Sequence, residues 1–289
     1  MSPGLRRQIS RTFASRLVAF LLTFVCFAQP QRSSQFAQAA KAVLDRNFAN
    51  PDISYLLLNT SGDILAERWN LQTAVPPGSL VKPFLAIAYA EQHEGRFPSV
   101  FCEGTSTRCW LPAGHGKLEL EEAIAQSCNS YFLRLAAGLD RNRAALTFAR
   151  YGLAGPSLAE ANSDVANDSL IGVGTNWKEQ PLALARAYLA LERERNSPVP
   201  SRIVNGMIAS AAHGTARGVD LALGTSAALA KTGTAACAHS PEGPADGFSL
   251  VLYPARQPRL LLLVRVHGVT GAASATTAGA MLRALGAGQ

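Results

Sequence analysis

The stretch Pro77-Gly78-Ser79-Leu80-Val81-Lys82 contains two side chains, Ser79 and Lys82, that could take part in a reaction together. It places a hydroxyl and an amine three residues apart at the expected start of a helix, where residues at that spacing share one face. A serine hydroxyl becomes a good nucleophile only when a neighbour takes its proton, and a lysine can take it only when its pKa is lowered, for example by burial. The apolar residues from Leu80 to Ala88 supply such surroundings. Ser79 and Lys82 are thus a candidate nucleophile and base, although the pattern alone also fits a capping serine and a surface lysine.

Two further polar triplets follow downstream. Ser127-Cys128-Asn129 falls at a break between helical segments, and Lys231-Thr232-Gly233 lies in a strand-like run that continues with Thr234. Taken singly, the first could simply mark a helix end and the second a strand followed by a turn. Cys128 is interpreted as a packing residue, and His115, between two glycines, as a loop residue.

Hydrophobic periodicity predicts strands at both ends of the chain and helices between them. The terminal strands should meet in one antiparallel sheet whose faces are covered by helices, with an inserted helical half at about 95–215. We expect residues 29–289 to form a single domain. The predicted helices are 33–48, 79–94 and 273–285, and the predicted strands are 53–58, 64–69, 229–234, 247–253 and 260–267.

The ordered set Ser-x-x-Lys, Ser-x-Asn and Lys-Thr-Gly resembles the penicillin-binding protein transpeptidase and serine β-lactamase superfamily. Flanking stretches are similar too: Cys109-Trp110, Gly114-His115-Gly116, Ile171-Gly172-Val173-Gly174 and Gly214-Thr215-Ala216. The resemblance implies an α+β fold in which helices cover a five-stranded antiparallel sheet. The active site would lie between the sheet and an all-helical subdomain.

The resemblance also implies a role for each motif residue. Ser79 would be acylated, Lys82 would take its proton, Ser127 would relay a proton to the leaving amine, and Asn129 would hold Lys82. The backbone N–H groups of Ser79 and Thr234 would form the oxyanion hole. Lys231 would supply positive charge, and substrate binding is expected at Thr232, Gly233 and Thr234. No metal or organic cofactor is implied.

Such a site implies acyl transfer from D-alanyl-D-alanine peptides of peptidoglycan, as a transpeptidase or a carboxypeptidase. The alternatives are a serine β-lactamase and a non-catalytic module that binds β-lactams or wall peptide. A β-lactamase needs a positioned base for deacylation; Glu160 and Asn162 lie in the right region without reproducing the spacing of one lactamase class. Asn129 argues against another class, which has a small apolar residue there. Expected partners are stem peptides, β-lactams and other wall-synthesis proteins.

The amino terminus has the pattern of an export segment. Four arginines precede the apolar run Leu17–Ala28, so residues 1–28 are expected to be a cleaved signal peptide or an uncleaved anchor, with 17–28 as the only membrane contact. Cleavage would lower the formal charge from +7 to +3, so the basic composition gives no reason to expect nucleic acid. The expected location is the periplasm or cell envelope, for a catalytic module without the long amino-terminal extension usual in wall-building transpeptidases.

Export makes disulfides admissible. Cys102 and Cys109 are close enough in sequence to close a small loop, and a bridge between them is one expectation. Metal binding is the weaker interpretation, because the cysteines do not show a paired zinc-knuckle spacing and no histidine pair lies nearby.

Overall fold

The computed structural model describes residues 28–157, 163–225, 227–237 and 243–288. Residues 1–27 of the expected export segment lie outside these ranges, as do Glu160 and Asn162. Over the described residues, no helix combines the length and apolar character that a membrane crossing requires.

A five-stranded sheet forms the centre of the molecule, and every neighbouring pair of its strands is antiparallel. Two strands come from the start of the described chain and three from its end, in the spatial order β2-β1-β7-β6-β5. The expected fold class is confirmed. The strands of this sheet are β1 Ile53–Asn59, β2 Ile64–Arg68, β5 Leu229–Ala235, β6 Asp246–Tyr253 and β7 Leu260–His267.

Side chains on successive strand residues point to opposite faces, and both faces of this sheet are buried. On β1, Leu56 and Leu58 join the core shared with the helical part, whereas Tyr55 and Leu57 join the core on the opposite face. Burial on both sides explains why β1 reads as a continuous apolar run and not as an alternating one.

Ten α-helices are found among the described residues. The helices α1, α9 and α10 pack on one face of the sheet, and most of the others build the helical part on the opposite face. Their bounds are α1 Ala28–Asn47, α2 Lys82–Gln92, α3 Leu120–Ala125, α4 Asn129–Ala137, α5 Arg141–Arg150, α6 Ser163–Leu170, α7 Pro181–Arg193, α8 Pro198–Ala212, α9 Arg217–Leu223 and α10 Gly271–Ala284.

The part expected to be all-helical also contains a small antiparallel ribbon. It consists of β3 Val100–Cys102 and β4 Gly116–Leu118, paired with Phe101 opposite Lys117. Three-residue strands are too short to show a period-two pattern in the sequence, which is why the periodicity did not indicate them. The ribbon brings the loop 103–115 beside the start of α4.

Candidate active site

Ser79 lies in a 3₁₀ turn, Gly78–Val81, that leads directly into α2. Residues three apart eclipse each other in this geometry, so Ser79 and Lys82 emerge on the same side. The turn is fixed from behind by Tyr188, whose buried hydroxyl donates to the carbonyl of Leu80 at 2.7 Å. Ser79 is half-buried, and its hydroxyl makes no hydrogen bond to any other described residue. Nucleophile contacts are often loose in a free site and tighten in the substrate complex.

Two glycines allow backbone segments to approach this turn closely. A Cβ atom at Gly78, whose φ is +57°, would lie 2.7 Å from the carbonyl oxygen of Thr234 on β5. A Cβ atom at Gly172, whose φ is +81°, would lie 2.0 Å from the carbonyl oxygen of Gly78. The 3₁₀ turn that carries Ser79, called the nucleophile's turn below, is therefore held between the edge strand and the loop at Gly172.

Lys82 is the first residue of α2 and is completely buried. Its Nζ donates to the backbone carbonyl of Ser127 at 2.8 Å and to Oδ1 of Asn129 at 2.6 Å. The structure therefore brings the first two motifs into direct contact. Because burial penalises the ammonium form, the pKa of Lys82 falls to about 7.

Ser127 adopts the left-handed backbone conformation, with φ at +51°. A non-glycine residue in this region is uncommon and is often found at functional sites. The turn directs the Ser127 hydroxyl towards Lys231, whose Nζ donates to Oγ of Ser127 at 2.7 Å. Lys231 is fully buried and also donates to the carbonyl of Thr232. Burial, and to a lesser extent the charge of Lys82, lower the pKa of Lys231 well below its usual range.

The third motif lies on β5, the edge strand of the sheet. Thr232 is buried and its hydroxyl donates to Oγ1 of Thr215 at 2.6 Å. Thr234 is exposed and its hydroxyl accepts the backbone N–H of Gly271 at 2.9 Å. Between them, Gly233 passes close to the nucleophile's turn, since a Cβ atom there would lie 3.0 Å from the carbonyl oxygen of Pro77.

These residues surround a cleft of about 400 Å³ between β5 and the helical part. Of the eight sequence-predicted site residues, Lys82 and Lys231 are fully buried and absent from the cleft lining, and the other six line it. Five further residues line the cleft that the motifs did not indicate. Three of these five, Trp110, Val173 and Thr215, belong to the flanking stretches that are similar to the superfamily, and that similarity could have indicated them. The other two lie outside those stretches. The lining is Ser79, Trp110, Ser127, Asn129, Val173, Thr215, Thr232, Gly233, Thr234, Thr270 and Ala272.

The expected bridge between Cys102 and Cys109 is absent, because both are free thiols. Each sulfur instead lies 3.5 Å from Nδ1 of His115. Cys128, in the middle of the second motif, is buried with its sulfur 3.7 Å from that of Cys109. These four side chains offer ligand atoms that all lie within 4.8 Å of one another. Four potential metal ligands from three separate places in the chain thus meet beside the cleft.

Comparison with known families gives a match over most of the chain. The family model described as penicillin binding protein transpeptidase domain matches residues 59–285. Among curated proteins, the chain is 27% identical over 233 residues to the peptidoglycan D,D-transpeptidase MrdA of Haemophilus influenzae. That alignment covers 68% of this chain and 36% of the relative, so the chain spans about a third of the relative's length.

Solved structures show the same fold at low sequence identity. Pseudomonas aeruginosa PBP2, solved with WCK 5153, has a TM-score of 0.69 at 20% identity, covering 86% of this chain and 73% of that one. Helicobacter pylori PBP2, solved with MreC, has a TM-score of 0.72 at 17% identity, covering 86% and 63%. The transpeptidase domain of Burkholderia pseudomallei penicillin-binding protein 3 has a TM-score of 0.67 at 16% identity, covering 88% and 92%.

Proposed function

Because the chain belongs to the penicillin-binding protein transpeptidase domain family, we propose that it transfers the acyl group of D-alanyl-D-alanine peptides of peptidoglycan through an acyl-serine intermediate at Ser79. The observation that supports this most strongly is the hydrogen bonding of Lys82 beneath the cleft. The curated relative, named a peptidoglycan D,D-transpeptidase, supports the same substrate class.

A neutral lysine amine has two N–H donors and one lone pair. At Lys82, the carbonyl of Ser127 and the amide oxygen of Asn129 accept two hydrogen bonds and can donate none. When the amine is neutral, both donors are therefore occupied and the lone pair is left for another partner. Ser79, one helical turn away, is the residue whose hydroxyl proton the lone pair would accept. A pKa of about 7 makes the neutral form abundant at neutral pH.

The leaving amine then needs a proton. Ser127 lies between the two lysines in the network, with its carbonyl accepting from Lys82 and its hydroxyl accepting from Lys231. The proton taken from Ser79 would reach the leaving D-alanine through the Ser127 hydroxyl, while the Ser79 oxygen forms the ester bond. A second amine would then release the acyl group in transpeptidation, or water would release it in carboxypeptidation.

The free carboxylate of the substrate would bind at β5. Lys231 supplies the charge, Thr232 and Thr234 supply hydroxyls, and Gly233 keeps the strand close to the nucleophile's turn. An arriving carboxylate would favour the ammonium form of Lys231 and raise the pKa that burial lowers. The backbone N–H groups of Ser79 and Thr234 would stabilise the oxyanion. None of these steps needs a metal or organic cofactor.

The same proposal gives the location and the partners. A protein acting on peptidoglycan stem peptides would work outside the cytoplasm, in the cell envelope, and would also be acylated by β-lactams. The structural neighbour from Helicobacter pylori was solved in complex with MreC, and we propose a wall-synthesis protein as a partner here as well.

The test is to incubate the purified protein with a fluorescent penicillin and to follow both labelling and release of the label. Ser79→Ala should abolish labelling. Ser106→Ala is the matched control, because Ser106 is an exposed serine in the loop after β3. A stem peptide ending in D-alanyl-D-alanine should release D-alanine in the presence of the wild type and of Ser106→Ala, but not in the presence of Ser79→Ala.

Each outcome separates the alternatives. Stable labelling with D-alanine release supports the acyltransferase. Rapid label turnover with nitrocefin hydrolysis would replace it with a β-lactamase. Stable labelling without D-alanine release would leave a binding module, and labelling that persists in Ser79→Ala would overturn the assignment of the nucleophile.

A further inference from the structure

A second group of metal-ligating side chains lies at one end of the sheet, and the acyl-transfer mechanism does not use it. It consists of Cys237, Asp246 and His267, whose ligand atoms all lie within 4.8 Å of one another; we call it the Cys–Asp–His cluster. Cys237 and Asp246 are buried, and His267 is half-buried. The sulfur of Cys237 is reduced, so it can act as a ligand.

The register of the sheet brings these three residues together. Asp246 begins β6 and lies opposite His267, the last residue of β7, and opposite Ala235, the last residue of β5. Cys237 follows β5 by two residues. Three neighbouring strands therefore place the cluster, which is why its members are too far apart in the sequence to form a recognisable motif.

The distances within the cluster leave room for one metal ion. Nδ1 of His267 lies 2.9 Å from Oδ1 of Asp246 and 3.6 Å from the sulfur of Cys237. Zinc binds histidine nitrogen and carboxylate oxygen at about 2.0–2.2 Å and cysteine sulfur at about 2.3 Å. With these bond lengths, the two distances correspond to angles at the ion of about 90° and about 110°, which suit zinc with four or five ligands.

We propose that the Cys–Asp–His cluster binds one zinc ion through the sulfur of Cys237, Oδ1 of Asp246 and Nδ1 of His267. Arg265 supports this arrangement, because its Nε donates to Oδ2 of Asp246 at 2.9 Å and leaves Oδ1 directed at the cluster. Carboxylates that bind a metal are typically hydrogen-bonded in this way. The thiolate and the carboxylate together balance the two charges of the ion.

Three protein ligands leave one coordination position of zinc open. The cluster borders a cavity of about 360 Å³, whose lining includes Cys237, Arg265 and His267. A water molecule from this cavity would complete the coordination. Because the cavity also gives access to the ion, zinc should exchange at this site while the protein stays folded.

Hydrogen bonding alone is a poorer account of the cluster. Nδ1 of His267 carries either one proton or one lone pair, yet a carboxylate oxygen and a sulfur both lie beside it. A cation between the three ligand atoms contacts all of them. A cysteine nucleophile with a histidine base is also a poorer account, since such a triad uses both ring nitrogens, whereas here both neighbours face Nδ1.

The ion would fasten the end of the edge strand. Cys237 comes three residues after Thr234 on the strand that forms one wall of the cleft. Binding Cys237 together with Asp246 and His267 would tie the end of β5 to β6 and β7. The inference concerns metal binding alone and does not depend on the proposed function.

The test measures bound zinc. Reduced protein is equilibrated with excess zinc, separated from unbound metal by gel filtration and analysed for zinc content. Cys237→Ala and His267→Gln should each hold one equivalent less than the wild type. Two variants are used because Cys237 is buried, whereas replacing the half-buried His267 should disturb the fold less.

His213→Gln is the matched control. The ring of His213 also faces a carboxylate, that of Glu122, but His213 is outside both groups of metal-ligating side chains found among the described residues. This variant should hold as much zinc as the wild type. Ser79→Ala should as well, so failure of acylation and failure of metal binding are distinguishable.

A double variant separates this site from the group formed by Cys102, Cys109, His115 and Cys128. Adding Cys237→Ala to Cys109→Ala should remove one equivalent of zinc, as it does from the wild type. The proposal is overturned if Cys237→Ala and His267→Gln hold as much zinc as the wild type, or if His213→Gln loses as much as His267→Gln. It is also overturned if Cys237→Ala removes zinc only when Cys109 is intact, because the lost ion would then belong to the other group.

Discussion

Lys82 has no acidic partner among the described residues, and its hydrogen bonds go to a carbonyl and to an amide. Its proton affinity is therefore governed by burial, which lowers the pKa to about 7. We expect the acylation rate to be low below this pH, to rise as the neutral amine accumulates through about pH 7, and to level off above it. The measurement is the second-order rate constant for fluorescent penicillin as a function of pH. A rate that falls as the pH rises from 6 to 8 would contradict Lys82 as the base.

A substitution at Asn129 tests the role of Lys82 more directly, because Asn129 accepts a hydrogen bond from its Nζ. Replacing it by aspartate changes one atom of the amide and puts a negative charge about 2.6 Å from Nζ. The carboxylate favours the ammonium, so in Asn129→Asp the midpoint of the pH profile should move upward by about 1–3 units. At neutral pH the variant should therefore acylate more slowly, and much of the rate should return in alkaline buffer.

Asn176→Asp controls for the change in net charge. Asn176 is exposed and its amide donates to the hydroxyl of Ser169, away from both lysines. Its pH profile should match the wild type. If Asn129→Asp and Asn176→Asp shift the midpoint equally, the effect comes from overall charge, and the contact of Asn129 with Lys82 has no influence on the base.

At the scale of elements, the reactive geometry depends on how closely the loop at Gly172 approaches the nucleophile's turn. Gly172 and Gly174 both have positive φ, at +81° and +86°, but a Cβ atom at Gly174 would meet nothing within 4 Å. Gly174→Ala should therefore cost only about 1–2 kcal/mol of unfolding free energy for the left-handed backbone, with labelling near the wild-type rate.

Gly172→Ala has the same backbone cost and in addition places a Cβ atom 2.0 Å from the carbonyl oxygen of Gly78. The turn that carries Ser79 must move, and a shift of about 1 Å can cost about 10²-fold in rate. Chemical denaturation and penicillin labelling of both variants measure the two effects separately. Equal labelling of the two alanine variants would show that this close approach does not position Ser79.

The sequence allowed most of the elements to be predicted, because long periodic runs are strong local signals. The strand predicted at 260–267 is β7 as observed, and the last helix, predicted at 273–285, is Gly271–Ala284. The 3₁₀ turn at Ser79 was instead predicted as regular helix, since the local sequence does not show that Gly78 packs closely against β5.

The candidate site was likewise predictable only where the sequence carried a local signal. The three motifs could be found because each is a short local pattern, and their order in the chain points to one superfamily. The cluster of Cys102, Cys109, His115 and Cys128 could not be found, because its members come from a strand, a loop and a helix start that meet only after folding. His115 was interpreted as a loop residue because it lies between two glycines, although its ring faces two sulfurs.

At the scale of the whole molecule, the sheet separates two cores. The core shared with the helical part contains Leu80 and Phe84 from the nucleophile's turn and helix, and it supports the cleft directly. The second core lies between the sheet and the helices α1, α9 and α10, and the described cleft residues have little part in it. Stability should depend on both cores, whereas reactivity should depend mainly on the first.

Leu44 of α1 tests this separation, because it is completely buried in the second core beside Tyr55 and Leu57. Leu44→Ala should lower the free energy of unfolding by about 2–5 kcal/mol, the usual effect of a cavity left by leucine. Its acylation rate per folded molecule should stay within about twofold of the wild type, since the sheet lies between the cavity and the cleft. Leu146→Ala is the control, because Leu146 is 73% exposed and should change stability by no more than about 0.5 kcal/mol. If Leu44→Ala slows acylation at a temperature where the protein remains folded, the second core helps to shape the cleft through the sheet. The two cores are then mechanically coupled.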